Sequence, residues 1–137
     1  MLYALLKFNS MPTPGFAHHF YMENYVQNIK KCEKSLEIVY VKKGAIKAEI
    51  YGTSFIVEPG SIFIIFRDFP YVLSSPDNTP QEHSCIQLKF DYTLNICEEA
   101  SIPPVFDGLI LPIITPPGVN AEEIKKEIFF CISELGI

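Results

Sequence analysis

Hydrophobic and polar residues alternate most cleanly along Ile46-Lys47-Ala48-Glu49-Ile50, where every second side chain is apolar. A period of two marks a strand with one face buried and the other wet. The neighbouring segments carry variants of the same pattern. Leu36 to Val41 is β-branched and aromatic and stops at Lys42-Lys43-Gly44, as a strand entering a turn does. Tyr51-Gly52-Thr53 predicts a short reversal, and Ser54 to Val57 returns as a strand. Pro59-Gly60 fits the central positions of a type II turn, because proline presets its φ and glycine accepts a positive one. Ser61 to Phe66 is apolar on both faces, which predicts a strand covered on both sides. Tyr71 to Ser74 extends, Ser75 to Gln81 is a polar loop, and His83 to Phe90 makes the last strong strand. Short strands at this spacing predict a closed or sandwiched β fold.

The two ends read differently. Ser10-Met11-Pro12-Thr13-Pro14-Gly15 predicts a loop, and His18 to Asn28 a strand with a polar edge. Ile102 to Gly118, with Pro103-Pro104 and Pro116-Pro117, predicts an irregular connector. Asn120 followed by Glu123 has capping-box spacing, and Glu122 and Glu123 suit the positive end of a helix dipole. Gly136 suits the position just past the far end. Within that helix Ala121, Ile124, Ile128, Cys131 and Leu135 recur at three- and four-residue steps. This is a heptad-like seam on a rod of about 15 residues, roughly 22 Å long. Phe129, Phe130 and Ile132 widen the apolar surface beyond a seam. The helix is therefore expected to pack on its own barrel, to form a homodimer through Ile124, Ile128, Cys131 and Leu135, or to do both.

Composition narrows the classes. A chain of 137 residues with 48% apolar and 20% charged positions reads as one globular domain with a generous interior. The formal charge of -5 argues against these residues gripping a phosphate backbone, which calls for clustered Lys and Arg. Cys32, Cys85, Cys97 and Cys131 form no CxxC pair, so zinc and redox motifs find no support and free thiols are expected. The start, MLYALLKF, lacks the basic region and cleavage site of a secretory signal. No apolar run reaches transmembrane length, so no membrane partner and a cytoplasmic setting are expected.

An ordered set of motifs gives the sequence a likeness. Glu37 and Gly44 in SLEIVYVKKG, the hairpin at YGTSF, the PGSIFII strand, FPY before a variable loop, and EHSCIQLKF follow one another. The segment from Leu36 to Phe90 resembles the cupin barrel, and the whole chain resembles the N-terminal sensor domain of AraC/XylS-type transcription regulators. The resemblance implies a mainly β fold, a cupin-type jelly-roll barrel, followed by a C-terminal α-helical segment. Residues 1–119 would form the barrel with its N-terminal arm and connector, and residues 120–137 the helix. It also implies a small-molecule effector, dimerisation, and a helix-turn-helix DNA-binding domain downstream; none lies within these residues, so the chain is expected to be a sensor fragment.

Metal-binding cupins place two histidines just before the glutamate and a third after the PG strand. Here Lys30, Lys31, Cys32, Glu33 and Lys34 precede Glu37, and Tyr71 stands at the later position. Of four expected ligands only Glu37 survives, so neither metal nor cofactor is expected, and no enzyme activity. Strand parity puts Val39 and Val41 on the face of Glu37, Leu73 on that of Tyr71, and His83, Cys85, Gln87 and Lys89 together. In sugar-binding members of the resembling family, contacts fall at positions matching Cys85, Gln87 and the vicinity of Leu73. The expected ligand-binding set is Glu37, Tyr71, Leu73, His83, Cys85 and Gln87, within an apolar ring of Val39, Val41, Leu73, Phe63 or Phe16. Each has a plainer reading: Glu37 as a rim charge on Lys34, His83 as solvated, Gln87 as a partner of buried backbone, Cys85 as core. In arabinose-responsive members the arm folds over the sugar, and Phe16, His18 and Phe20 would do so here or form an edge strand. The competing functions are a metal-free sugar epimerase or isomerase using His83 and Tyr71 as acid and base, and a filled oligomerisation module.

Overall fold

The computed structural model describes residues 1–135, which form twelve strands and a C-terminal helix. The strands are β1 (Leu2–Phe8), β2 (Thr13–Met22), β3 (Val26–Ile29), β4 (Ser35–Lys43), β5 (Ile46–Ile50) and β6 (Thr53–Val57). They continue as β7 (Ile62–Phe66), β8 (Tyr71–Ser74), β9 (Gln81–Lys89), β10 (Tyr92–Glu98), β11 (Leu109–Pro112) and β12 (Ile114–Thr115), followed by α1 (Val119–Leu135). The expected class, mainly β with a terminal helix, is what the chain adopts.

Three antiparallel sheets build the body, in the orders β12-β7-β4-β9-β2, β3-β8-β5-β6 and β10-β1-β11. One core joins all three: Val39, Phe63 and Phe66 from the first, Ile46, Ala48 and Leu73 from the second, Ala4, Leu6 and Tyr92 from the third. The alternation that marked β5 appears as burial, with Ile46, Ala48 and Ile50 inside and Glu49 outside. Every residue of β7 is buried, as its two-sided apolar run requires. The turn before it forms as expected: Gly60 has φ +90° and the Ser61 N–H donates to the Glu58 carbonyl at 3.1 Å.

Three expectations need correction. The Ser10–Gly15 loop gives way at Thr13 to β2, which accommodates Pro14 because it is an edge strand with an irregularity between Pro14 and Ala17. MLYALLKF becomes β1, held by seven register pairs to β10 and four to β11. The proline-rich connector therefore contains β11 and also β12, which adds to β7. Finally, α1 begins at Val119, where the Glu122 N–H donates to the Gly118 carbonyl at 3.0 Å. Asn120 thus lies within the first turn instead of capping it. Gly136 lies outside the described residues.

The helix lies on the outer face of the five-stranded sheet. Ala121, Ile128 and Ile132 are buried with Ala17, Tyr40 and Ile62, and Ile124 packs beside them. Ile128, expected in a dimer seam, is 1% exposed within its own chain. Ile128 is covered by the barrel, whereas Ile124 and Cys131 are half-buried, Cys131 beside Pro14, Phe16 and Ile86. The side chain of Leu135 lies outside the described ones. The opposite face of α1 carries Glu123, Lys126, Glu127 and Phe130, which is no apolar seam. Ile128 and Ile124 thus contact their own barrel, one of the two packings expected of this helix.

Candidate ligand-binding site

Between the five-stranded sheet and the β3-β8-β5-β6 sheet lies a cavity of about 260 Å³. The pairing register explains which side chains face it. On β4 and β9, Glu37 pairs with Gln87, Val39 with Cys85 and Val41 with His83. Because side chains alternate, these rungs point to one face and Ile38, Tyr40, Ser84 and Ile86 to the other. On β2, His18 pairs with Cys85 and Phe20 with His83, so the same alternation carries Phe16, His18 and Phe20 inward.

Of the expected site residues, Glu37, Leu73, His83 and Cys85 line the cavity, as do Val39, Phe63 and Phe16 of the apolar ring. Val41 is buried outright in the core. Tyr71 and Gln87 point the same way without reaching the lining. Tyr71 is 2% exposed and its hydroxyl donates to Glu37 Oε2 at 3.5 Å. Gln87 donates from Nε2 to Glu33 Oε1 at 3.3 Å and to Ser35 Oγ at 3.4 Å. Lys34, the expected partner of a rim glutamate, instead reaches Asp91 and the Tyr92 carbonyl.

Arg67, Tyr25 and Gln27 line the cavity without having been foreseen. Arg67 follows β7 and continues the inward parity of Phe63 and Ile65, which was the available signal. Its Nη1 lies 3.4 Å from Glu33 Oε1 and 3.8 Å from Glu37 Oε1. Its guanidinium stands 5.9 Å from the Tyr71 ring centroid. Its Nε is buried without a hydrogen-bond partner among the described residues. The Tyr25 hydroxyl donates to Gln27 Oε1 at 2.9 Å.

The electrostatics of this lumen favour neutral groups. Burial raises the Glu37 carboxyl above its usual range, although Arg67 and the Tyr71 hydroxyl pull the other way. Burial also raises the Tyr71 phenol, helped by the Glu37 charge. The Cys85 thiol is pushed up to about 12 by burial and by Glu37, so it is not a thiolate nucleophile. His83 is brought down to about 4 by burial and by His18. Such a lumen can hold an organic molecule by apolar contact and a few fixed hydrogen bonds. Among the described residues no group of three or more His, Cys, Asp or Glu could hold a metal ion. No described helix is long and apolar enough to cross a membrane.

No curated protein sequence matches the chain. Among solved structures, the Cupin_2 domain of an XRE family transcriptional regulator from Enterobacter cloacae is similar at 16% identity and a TM-score of 0.45. That similarity covers 64% of this chain and 98% of the other. The model of the AraC-like ligand binding domain family matches residues 13–135, and the chain belongs to that family.

Proposed function

We propose that this domain senses a small organic effector, a sugar or similar polar molecule, in the lumen, and passes the signal to a helix-turn-helix DNA-binding domain of the full regulator. The observation that carries this is the double use of β2. Its Phe16, His18 and Phe20 line the lumen, while Ala17 is buried against α1 and the His19 ring meets Phe129 at 5.4 Å. One edge strand therefore borders both the lumen and the helix. A ligand that prefers one seating of β2 shifts the populations of α1, with a coupling on the order of 1–3 kcal/mol.

The enzyme alternative lacks its couple. The Tyr71 hydroxyl is turned to Glu37 and Tyr71 is not among the lining residues, which speaks against its acting with His83 on one substrate. A packed oligomerisation module is disfavoured by the cavity itself.

Thermal shift of the domain over a panel of sugars and organic acids tests the proposal, with Leu73→Trp filling the lumen. At least one compound is expected to stabilise the wild type and to lose its effect in the variant. Equal stabilisation of both proteins, or of neither, would remove the lumen as the sensing site.

A further inference from the structure

His83 belongs to β9, is 5% exposed and faces the lumen. Its Nδ1 lies 2.5 Å from Gln81 Oε1. Gln81 is not free to turn over, because its Nε2 donates to the carbonyls of Lys43 at 3.0 Å and Gly44 at 2.9 Å. A reversed amide would set an oxygen against two carbonyl oxygens. The end facing His83 is therefore the amide oxygen, which can only accept. Nδ1 must carry the proton, and in the neutral ring Nε2 is left with a bare lone pair. The anchor is itself tightly specified: Gly44 has φ +71°, and a Cβ there would meet the Pro80 carbonyl oxygen at 2.4 Å. Only glycine lets the chain beside Gln81 come this close.

Most other polar groups of the lumen are already occupied. Tyr71 donates to Glu37, Tyr25 to Gln27, and His18 Nε2 lies 3.6 Å from Cys85 Sγ. His83 Nε2 has no hydrogen-bond partner among the described residues, and Arg67 Nε is buried with none. An unanswered acceptor and an unanswered donor remain for the guest.

We infer that His83 Nε2 is a fixed hydrogen-bond acceptor of the lumen, and that the effector is a compact molecule bringing it a hydroxyl or N–H donor. The inference rests on the lumen being the effector site. The ring is faced by the Gln81 amide, by Phe20 at 5.0 Å and Tyr25 at 5.5 Å between centroids, and by His18, with no carboxylate among them to stabilise a second proton. Burial holds it neutral at physiological pH. At about 260 Å³ the cavity has room for roughly eight waters at ~30 Å³ each, so the guest is a single ring or its equivalent. An analogue that lacks the donor forfeits this hydrogen bond and should bind about tenfold more weakly or worse.

The test begins without a ligand. Nitrogen-15 NMR of histidine-labelled wild-type protein at neutral pH is expected to show His83 with its proton on Nδ1 and none on Nε2. Gln81→Met, with its folding checked by thermal melt, is expected to release that preference. A wild-type ring protonated on Nε2, or doubly protonated, overturns the inference and leaves the sensor reading standing. The second arm uses two pairs of similar shape, phenol against fluorobenzene and cyclohexanol against fluorocyclohexane. The hydroxyl compounds are expected to shift the His83 Nε2 resonance and to bind at least tenfold more tightly. Equal binding of both members also overturns the His83 assignment alone. Silence of all four, confirmed by failure of the sugar and organic-acid panel, removes the effector site itself.

Discussion

The five-stranded sheet has two faces made by the same strands, and they are built to different ends. Outward, Ala17, Tyr40 and Ile62 meet Ala121, Ile128 and Ile132 of α1 in a cluster of buried apolar groups. The few polar groups there answer one another, His19 bonding Ser84 and Lys125 standing over the Tyr40 ring at 5.4 Å. Inward, one residue away along each strand, Glu37, His83 and Arg67 stand among Phe63, Val39 and Leu73 around an open volume. A face meant only for stability would resemble the outer one, since polar groups in a dry interior cost free energy unless fully paired. The inner face departs from that optimum where a guest would complete it.

The largest effect should come from breaking the outer face. Ile128→Asp buries an unpaired charge at a position 1% exposed, and is expected to cost about 4 kcal/mol or more. Urea denaturation followed by circular dichroism reads this loss. A change below about 1 kcal/mol would mean that α1 is not seated on the sheet. By contrast, Leu73→Ala on the inner face should cost about 2 kcal/mol, the low end for such truncations, because its neighbours already border empty space. If the two variants fell in the reverse order, the contrast between the faces would fail.

The inner face can next be sharpened by pH. His83 titrates near 4 in the fold against 6.5 unfolded, so the unfolded chain binds the extra proton first. Its contribution to stability is therefore fully present above about pH 6.5 and is lost as pH falls toward 4, by up to roughly 3 kcal/mol. Glu37 acts oppositely: its raised carboxyl means that stability is lost as pH rises above the ordinary carboxylate range. Stability measured from pH 7 to 4 in wild type and in His83→Gln should differ in slope, flatter in the variant. Identical slopes would show that His83 is not held neutral by burial.

What was legible in the sequence divides along lines of distance. The Pro59-Gly60 turn and the alternation of Ile46, Ala48 and Ile50 are local, and the chain follows them. Strand parity, also local, grouped side chains by face, and the resemblance to the family chose the face that puts Glu37, Leu73, His83 and Cys85 on the lumen. The pairing of β1 with β10 joins Leu2 to Glu98, and nothing within MLYALLKF records a partner so far along the chain. Arg67 stood just past a run of apolar residues whose two-sided burial masked its inward parity. The helix showed the same limit: its periodicity disclosed which face is apolar, but not whether its own sheet or a second copy would cover it. Ile128 is covered in cis.

The smallest expected effect probes the seam between the two faces. Gly15 lies within the irregular stretch of β2, and a Cβ added there would meet Gln87 Oε1 at 2.3 Å. The obstacle is the far end of a side chain, so Gln87 must move and give up its bonds to Glu33 and Ser35. Losing two weak hydrogen bonds that water can partly replace should cost about 1 kcal/mol for Gly15→Ala. The informative readout lies elsewhere, because Phe16 borders the lumen on one side and the cleft beside Phe130 and Cys131 of α1 on the other. If β2 couples guest to helix, Gly15→Ala should change hydrogen-exchange protection in α1 more than in β5, which pairs with β6 and β8 in the other sheet. Equal changes in both would make the seam a passive part of the wall and leave the effector without this route to the helix.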